Sequence, residues 1–275
     1  MSASSNVIKL NLEVTPYFVA PRIVKQRKLW VVLPAFNEAS NLGKLIESIA
    51  DNMADQKSSY EIIVVDDGSE DGTQSVAESF LGQIPVTIIC HPQNQGLGAT
   101  MRDGFQYVAQ KSQAQDIVIA MDADNTHSPG LIKSMVNCIL EGNDVVIASR
   151  YQPGAHIKGV PGFRQLLSLA ASFLFRICFP VKGVKDYTCG FRAYRAGLIQ
   201  KAFNTYGKEF INQDGFECMV DILIKLRKLE AIFREVPLVL RYDLKQGVSK
   251  MKVAKTIVRS LALIAKHRLI PTVAA

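Results

Sequence analysis

At 275 residues and 48% apolar composition the chain can bury a sizeable core, which excludes a disordered or fibrous protein. A formal charge of +7, from 32 basic and 25 acidic residues, favours anionic partners such as phosphates, nucleic acid or an acidic membrane surface without choosing among them. Five scattered cysteines (Cys90, Cys138, Cys178, Cys189, Cys218), none in a Cys-x-x-Cys pair, argue against a disulfide framework and a zinc site and fit a reducing compartment.

Residues 1–27 hold no basic segment leading into an apolar one and read as a loosely ordered extension, so secretion is not expected. Lys28 to Leu33 is a β-rich run ending at Pro34, and Asn37-Glu38-Ala39-Ser40-Asn41 supplies capping residues for a helix to about Ala50. The pattern returns with a strand from Tyr60 to Val65, a turn at Asp66-Asp67-Gly68-Ser69 and a helix from Gly72 to Leu81. A strand at Val86 to Cys90, a helix after Gly98 and a strand at Asp116 to Met121 complete a βαβαβαβ series. Such alternation predicts a Rossmann-like α/β domain with a mostly parallel central sheet and helices on both faces, its ligands at the carboxyl ends of the strands.

After a strand at Asp144 to Ala148 come a Gly/Pro-rich loop (Gln152 to Pro161), an apolar helix (Arg164 to Phe179) and a turn-strand unit (Asp186 to Tyr194). A helix from about Gln213 to Lys228, a strand near Val236 to Tyr242 and a basic amphipathic tail from Lys252 to Leu269 follow. No uninterrupted apolar run reaches the roughly 18 residues of a spanning helix; the nearest, Leu166 to Val181, is broken by Arg176 and Pro180. The domain expectation is an extension (1–27), a catalytic domain (28–245) and a C-terminal basic loop with an amphipathic helix (246–275).

The strongest chemical signal is Asp122-Ala123-Asp124, two carboxylates one residue apart at the end of the strand Ile117 to Met121. Hard divalent cations take carboxylate oxygens, and Mg²⁺ combines one or two carboxylates with substrate phosphates, so this pair predicts a Mg²⁺ or Mn²⁺ site facing a diphosphate. Asp66 to Ser69 and Pro34 to Glu38 fall on the same edge, with acids to accept from a base or ribose and Phe36 to stack. Gly96-Leu97-Gly98 lacks the third glycine of a dinucleotide fingerprint and reads as a helix-start loop. His127 beside the acidic pair reads equally as a ligand and as a supporting group. Arg150 ends a strand, Arg164 and Ser168 lie one helical turn apart, and Arg241 and Lys250 flank Gly247-Val248-Ser249; as a group they suit phosphate oxygens.

The stretches VVLPAFNE, EIIVVDDGSEDGT, NQGLGATMRDG, MDADNTHSPG, ASRY, DYTCGFRAYR and GVSKM, in that order over residues 28–252, resemble family 2 glycosyltransferases of the GT-A fold, of the dolichyl-phosphate mannosyltransferase type. The resemblance implies that Pro34, Phe36, Glu38, Val65 and Asp67 hold the nucleoside, with Asp122 and Asp124 on the metal and diphosphate and Ala123 touching the nucleotide through its backbone. It places Arg150, Arg164 and Ser168 on an acceptor phosphate, Arg241 and Lys250 on the donor diphosphate, and Asp186 as a base or sugar contact. Thr126 stands where such mannosyltransferases often carry a Gln metal ligand, and is expected with Asp122 and Asp124 at the metal.

The implied activity is inverting, metal-dependent transfer from a nucleotide-sugar, GDP-mannose or a UDP-sugar, to a polyprenyl phosphate. No nucleic-acid partner is implied. The apolar residues from Leu166 to Ile177 and the basic tail would seat the protein peripherally on the cytoplasmic face of a membrane. The bland reading of that helix is a core element or a homo-oligomer contact. The alternatives in function are a family 2 transferase with a soluble or saccharide acceptor, needing Asp186 as base, and a catalytically inactive nucleotide-sugar-binding scaffold.

Overall fold

The computed structural model describes residues 27–56, 59–246 and 253–269. Strand β1 (Lys28–Ala35) is apolar and buried from Leu29 to Leu33, as befits a strand covered on both faces. Helix α1 (Ala39–Gln56) follows, burying Leu42, Leu45, Ile46, Ile49 and Met53 at helical spacing. Then come β2 (Ser59–Asp66), α2 (Thr73–Glu78), β3 (Val86–Cys90), α3 (Leu97–Lys111) and β4 (Ile117–Ala120). Further on lie α4 (Ile132–Leu140), β5 (Val145–Ser149), β6 (His156–Lys158), α5 (Gly162–Cys178), β7 (Arg192–Arg195) and α6 (Ala196–Tyr206). The described residues end with α7 (Cys218–Lys228), β8 (Phe233–Pro237), β9 (Val239–Arg241) and α8 (Val253–Leu269).

Seven strands form one sheet in the order β3-β2-β1-β4-β7-β5-β8, parallel except for β7, which runs antiparallel to both β4 and β5. This is the mostly parallel α/β sheet expected from sequence. The right-handed rule for parallel crossovers puts α1 and α2 on one face and α3 on the other, and α1 does pack on α2 and α3 on α6. Gly104 lets α3 lie close to the sheet, since a Cβ there would come within 2.6 Å of Val32 Cγ1. A separate two-stranded sheet pairs β6 with β9.

The register aligns the carboxyl ends, with Ala35 opposite Asp66 and Val32 opposite Ala120, so the loops after β1, β2 and β4 meet on one edge. Because β7 is reversed, its entry loop, residues 186–191, also reaches that edge, and Arg150 arrives there at the end of β5.

Several boundaries differ from expectation. Helix α1 starts at Ala39 and runs past Ala50 to Gln56, and α2 stops at Glu78, where turns lead to Gly82 at φ 78°. Helix α7 begins at Cys218 instead of Gln213, because Gln213 and Asp214 are held in a loop over α3. The expected strand from Val236 to Tyr242 is two strands: the ladder to β5 ends where Leu238 N donates to Ser149 O at 2.9 Å, and Val239–Arg241 pairs with β6 instead. The turn-strand unit reduces to β7, and α4, α6 and β6 have no counterpart in the sequence reading.

Candidate active site

The loop after β4 carries the acidic pair. Asn125 takes φ 59°, a left-handed conformation that asparagine tolerates, and the chain turns so that Thr126 caps Asp124. Thr126 N and Oγ1 both donate to Asp124 Oδ1, at 3.2 and 2.7 Å, while Lys245 Nζ meets Oδ2 at 2.6 Å. Thr126 is buried, and its amide and hydroxyl orient Asp124. Asp122 accepts no hydrogen bond among the described residues. Its carboxylate is accommodated by Gly190, where a Cβ would sit 2.9 Å from Asp122 Oδ1.

The two acids are tuned in opposite directions. Burial pushes Asp122 up, offset in part by His127 and reinforced by Asp124. Burial would raise Asp124 too, but Lys245 and His127 outweigh it and hold it below the usual carboxylate range. His127 is buried and stacks on Phe191 with ring centroids 5.2 Å apart, its Nδ1 without a hydrogen-bond partner. It acts on the pair as a neighbouring imidazole.

Asp67, expected at the nucleoside, is buried and already engaged. Its Oδ1 accepts from Gln95 N at 2.9 Å and meets His91 Nδ1 at 2.7 Å, and Oδ2 accepts from Gly96 N at 2.8 Å. It therefore fixes the loop ahead of α3. That loop in turn carries residues 213–214: Gly98 N donates to Asp214 O at 3.0 Å, and a Cβ on Gly98 would land on the carbonyl of Gln213. Val65 is wholly buried in β2, with its side chain in the core. Glu38 is buried and accepts from Asn41 Nδ2 at 2.7 Å. Pro34 and Phe36 are partly exposed on the edge, and Ala123 is buried, which leaves it only backbone contacts.

Asp186 is fully buried and accepts five hydrogen bonds, from Arg150 N, Nε and Nη2 and from the amides of Thr188 and Cys189. Burial alone would raise its pKa; the Arg150 guanidinium overcomes that and holds it low. A carboxylate so committed is no general base. It positions Arg150, whose Nη2 also reaches Thr188 Oγ1 at 2.7 Å. Ser168 Oγ stands 3.3 Å from both Thr188 Oγ1 and Tyr151 Oη, and Arg164 Nη1 donates to Tyr242 Oη at 3.0 Å. Arg150, Arg164 and Ser168 are thus brought together on one cavity of about 390 Å³, whose remaining wall includes Ile157, Val160, Leu166, Leu169 and Leu240.

Arg241 is paired with Asp243, at 2.8 and 3.0 Å, on the surface. Lys250 lies outside the described residues. The cation that does reach the acidic pair is Lys245, which sequence reading passed over as one basic residue in a loop. His91 and Thr188 escaped for the same reason, since their partners lie 24 and 38 residues away in the chain.

Helix α5 turns only Ser172 and Phe175 fully inward, leaving Phe163 70%, Leu166 63%, Phe173 63% and Ile177 59% exposed. That overturns its reading as a core helix. Among the described residues no helix is long and apolar enough to cross a membrane. Helix α8 docks beside the end of α5, with His267 Nε2 2.6 Å from Asp221 Oδ1 and Arg268 Nη2 donating to Cys178 O at 3.0 Å.

A sequence model described as glycosyl transferase family 2 matches residues 30–203. The chain belongs to this family. Among curated members it is 35% identical over 231 residues to a dolichol-phosphate mannosyltransferase of Pyrococcus furiosus, covering 84% of this chain but 60% of that protein, so it spans about three fifths of that relative's length. It is 31% identical to a polyprenol monophosphomannose synthase of Mycolicibacterium smegmatis, over 82% of this chain and 81% of the relative. The fold is that of glucosyl-3-phosphoglycerate synthase from Mycobacterium tuberculosis, solved with Mn²⁺, UDP and phosphoglyceric acid: TM-score 0.62 at 21% identity, covering 86% of this chain and 78% of that one. In this family setting, the edge built by β1, β2, β4 and the 186–191 loop is the candidate active site.

Proposed function

We propose that the chain transfers a sugar, with inversion, from a nucleotide-sugar to a polyprenyl phosphate, GDP-mannose being the favoured donor and a UDP-sugar the alternative. The observation that carries this reading is the cavity beside the acidic edge. It sets two arginines and a serine hydroxyl in a wall of aliphatic side chains, the chemistry of a phosphate carried on an apolar chain. The names of the two curated relatives point the same way.

Asp122 and Asp124 have the chemistry to hold Mg²⁺ or Mn²⁺, Asp122 having no hydrogen-bonded partner among the described residues and the pair sitting on a shared loop. Among these residues no cluster of three potential ligands occurs, which suits a hard cation that takes its remaining oxygens from substrate phosphates. When bound, the cation would supply charge neutralisation to the departing nucleoside diphosphate.

The protein's own groups do the rest by positioning. Arg150, locked by Asp186, and Arg164, steadied by Tyr242, orient the acceptor phosphate towards the anomeric carbon. A phosphate monoester is largely dianionic at neutral pH, its second pKa being about 6, so its oxygen attacks without a protein base. This agrees with Asp186 being committed elsewhere and speaks against a hydroxyl acceptor, which would need that base. The exposed face of α5, continuous with the cavity through Leu166 and Leu169, supports a peripheral seat on an acidic membrane, and five unpaired cysteines support its cytoplasmic face.

Arg164→Ala tests the acceptor assignment. Its KM for polyprenyl phosphate should rise about tenfold or more while nucleotide binding, read by calorimetry, stays within about twofold. An unchanged KM would remove Arg164 from the acceptor site.

A further inference from the structure

The segment after β9 runs across the acidic edge, anchored at both ends. Arg241 N donates to Thr126 O at 2.9 Å. Five residues on, Gln246 is clasped by Asn41: its N–H donates to Asn41 Oδ1 and its carbonyl accepts from Asn41 Nδ2, both at 3.1 Å. Asn41 is itself braced on Glu38. Between these anchors Lys245 reaches Asp124, an ion pair whose side chains are only 10% and 13% exposed. With Thr126 on the other oxygen, both oxygens of Asp124 are taken by protein donors, whereas Asp122 next to it accepts no hydrogen bond among the described residues.

We propose that Lys245 is a tethered counter-ion that competes with the divalent cation for Asp124, so that the cation enters with the nucleotide diphosphate and not ahead of it. The proposal rests on the reading of Asp122 and Asp124 as the cation's ligands. Sharing one carboxylate oxygen between an ammonium and a divalent cation is costly, because their charges repel across a mostly buried, poorly screened site. A diphosphate offers the ammonium another anion. The four-carbon lysine stem can follow it while the anchors at Thr126 and Asn41 stay in place. Metal and nucleotide then favour each other's binding, reciprocally and by the same factor, because the nucleotide draws off the competitor.

The test is Mn²⁺ binding to the full chain, followed by the electron paramagnetic resonance signal of free Mn²⁺, with and without GDP or UDP. Wild type, Lys245→Met, Lys245→Arg and Asp124→Asn are compared after thermal melts establish that each is folded. Lys245→Met should bind Mn²⁺ alone about tenfold tighter than wild type, and the enhancement given by nucleotide should shrink; Lys245→Arg should behave as wild type. Unchanged or weaker Mn²⁺ affinity in Lys245→Met, with binding lost in Asp124→Asn, overturns the competition and leaves the cation site standing. Mn²⁺ binding retained in Asp124→Asn removes the cation reading and the competition together.

Discussion

Asp122 and Asp124 are one residue apart, yet their surroundings divide them: Asp124 is capped by Thr126 and paired with Lys245, and Asp122 sits in the space left by Gly190. Asp122→Asn keeps the shape and removes the charge, so it should leave the melting temperature nearly unchanged and lower transfer at least about 100-fold, as steady-state assays will show. Asp186 behaves differently. Removing its charge leaves Arg150 mostly buried without a counter-charge, and Asp186→Asn should cost about 3–5 kcal/mol at pH 7 in denaturant unfolding. Its folded pKa is depressed by Arg150, so the stability it contributes is present above its unfolded pKa of about 3.9 and is lost as pH falls through the folded value. The gap between wild type and Asp186→Asn should therefore close below about pH 4; a gap constant with pH would contradict the ion pair. The acidic pair and the Arg150–Arg164–Ser168 group were legible in sequence because each side chain follows a strand end or lies on one helix. The engagement of Asp67 by His91, and of Asp124 by Lys245, was not legible: those pairs join segments that only the folded sheet edge brings together.

Among the elements, β7 does most to build the site, since its reversal delivers residues 186–191 to the edge where the parallel strands end. Alternating apolar and polar residues reveal a strand but say nothing of its direction, so this part of the topology could not be read ahead of the structure. The first half was readable because each βα unit is a short apolar strand, a polar turn and a helix in sequence order. Gly98, read only as a helix start, instead makes room for the carbonyl of Gln213 at the head of the loop that leads into α7. Gly98→Ala should push that loop away and destabilise the protein by about 1–3 kcal/mol in thermal or denaturant melts. A melt equal to wild type would show that the loop yields freely.

For the whole molecule, the deciding feature is that an acidic edge and a cation-lined apolar cavity share one side of the sheet, with the exposed row of α5 continuing from the cavity. Replacing Leu166, Phe173 and Ile177 together with serine should abolish co-sedimentation with anionic phospholipid vesicles while leaving the fold intact, because those side chains pack against little of the protein. Retained vesicle binding would move the membrane face elsewhere. The central claim is tested most directly by incubating the chain with Mg²⁺ or Mn²⁺, a polyprenyl phosphate in detergent, and radiolabelled GDP-mannose or UDP-sugars in turn. Label from one donor should pass into the organic phase, dependent on both metal and lipid phosphate; label that stays in water with every donor, or passes across without the phosphate group, would contradict transfer to a polyprenyl phosphate.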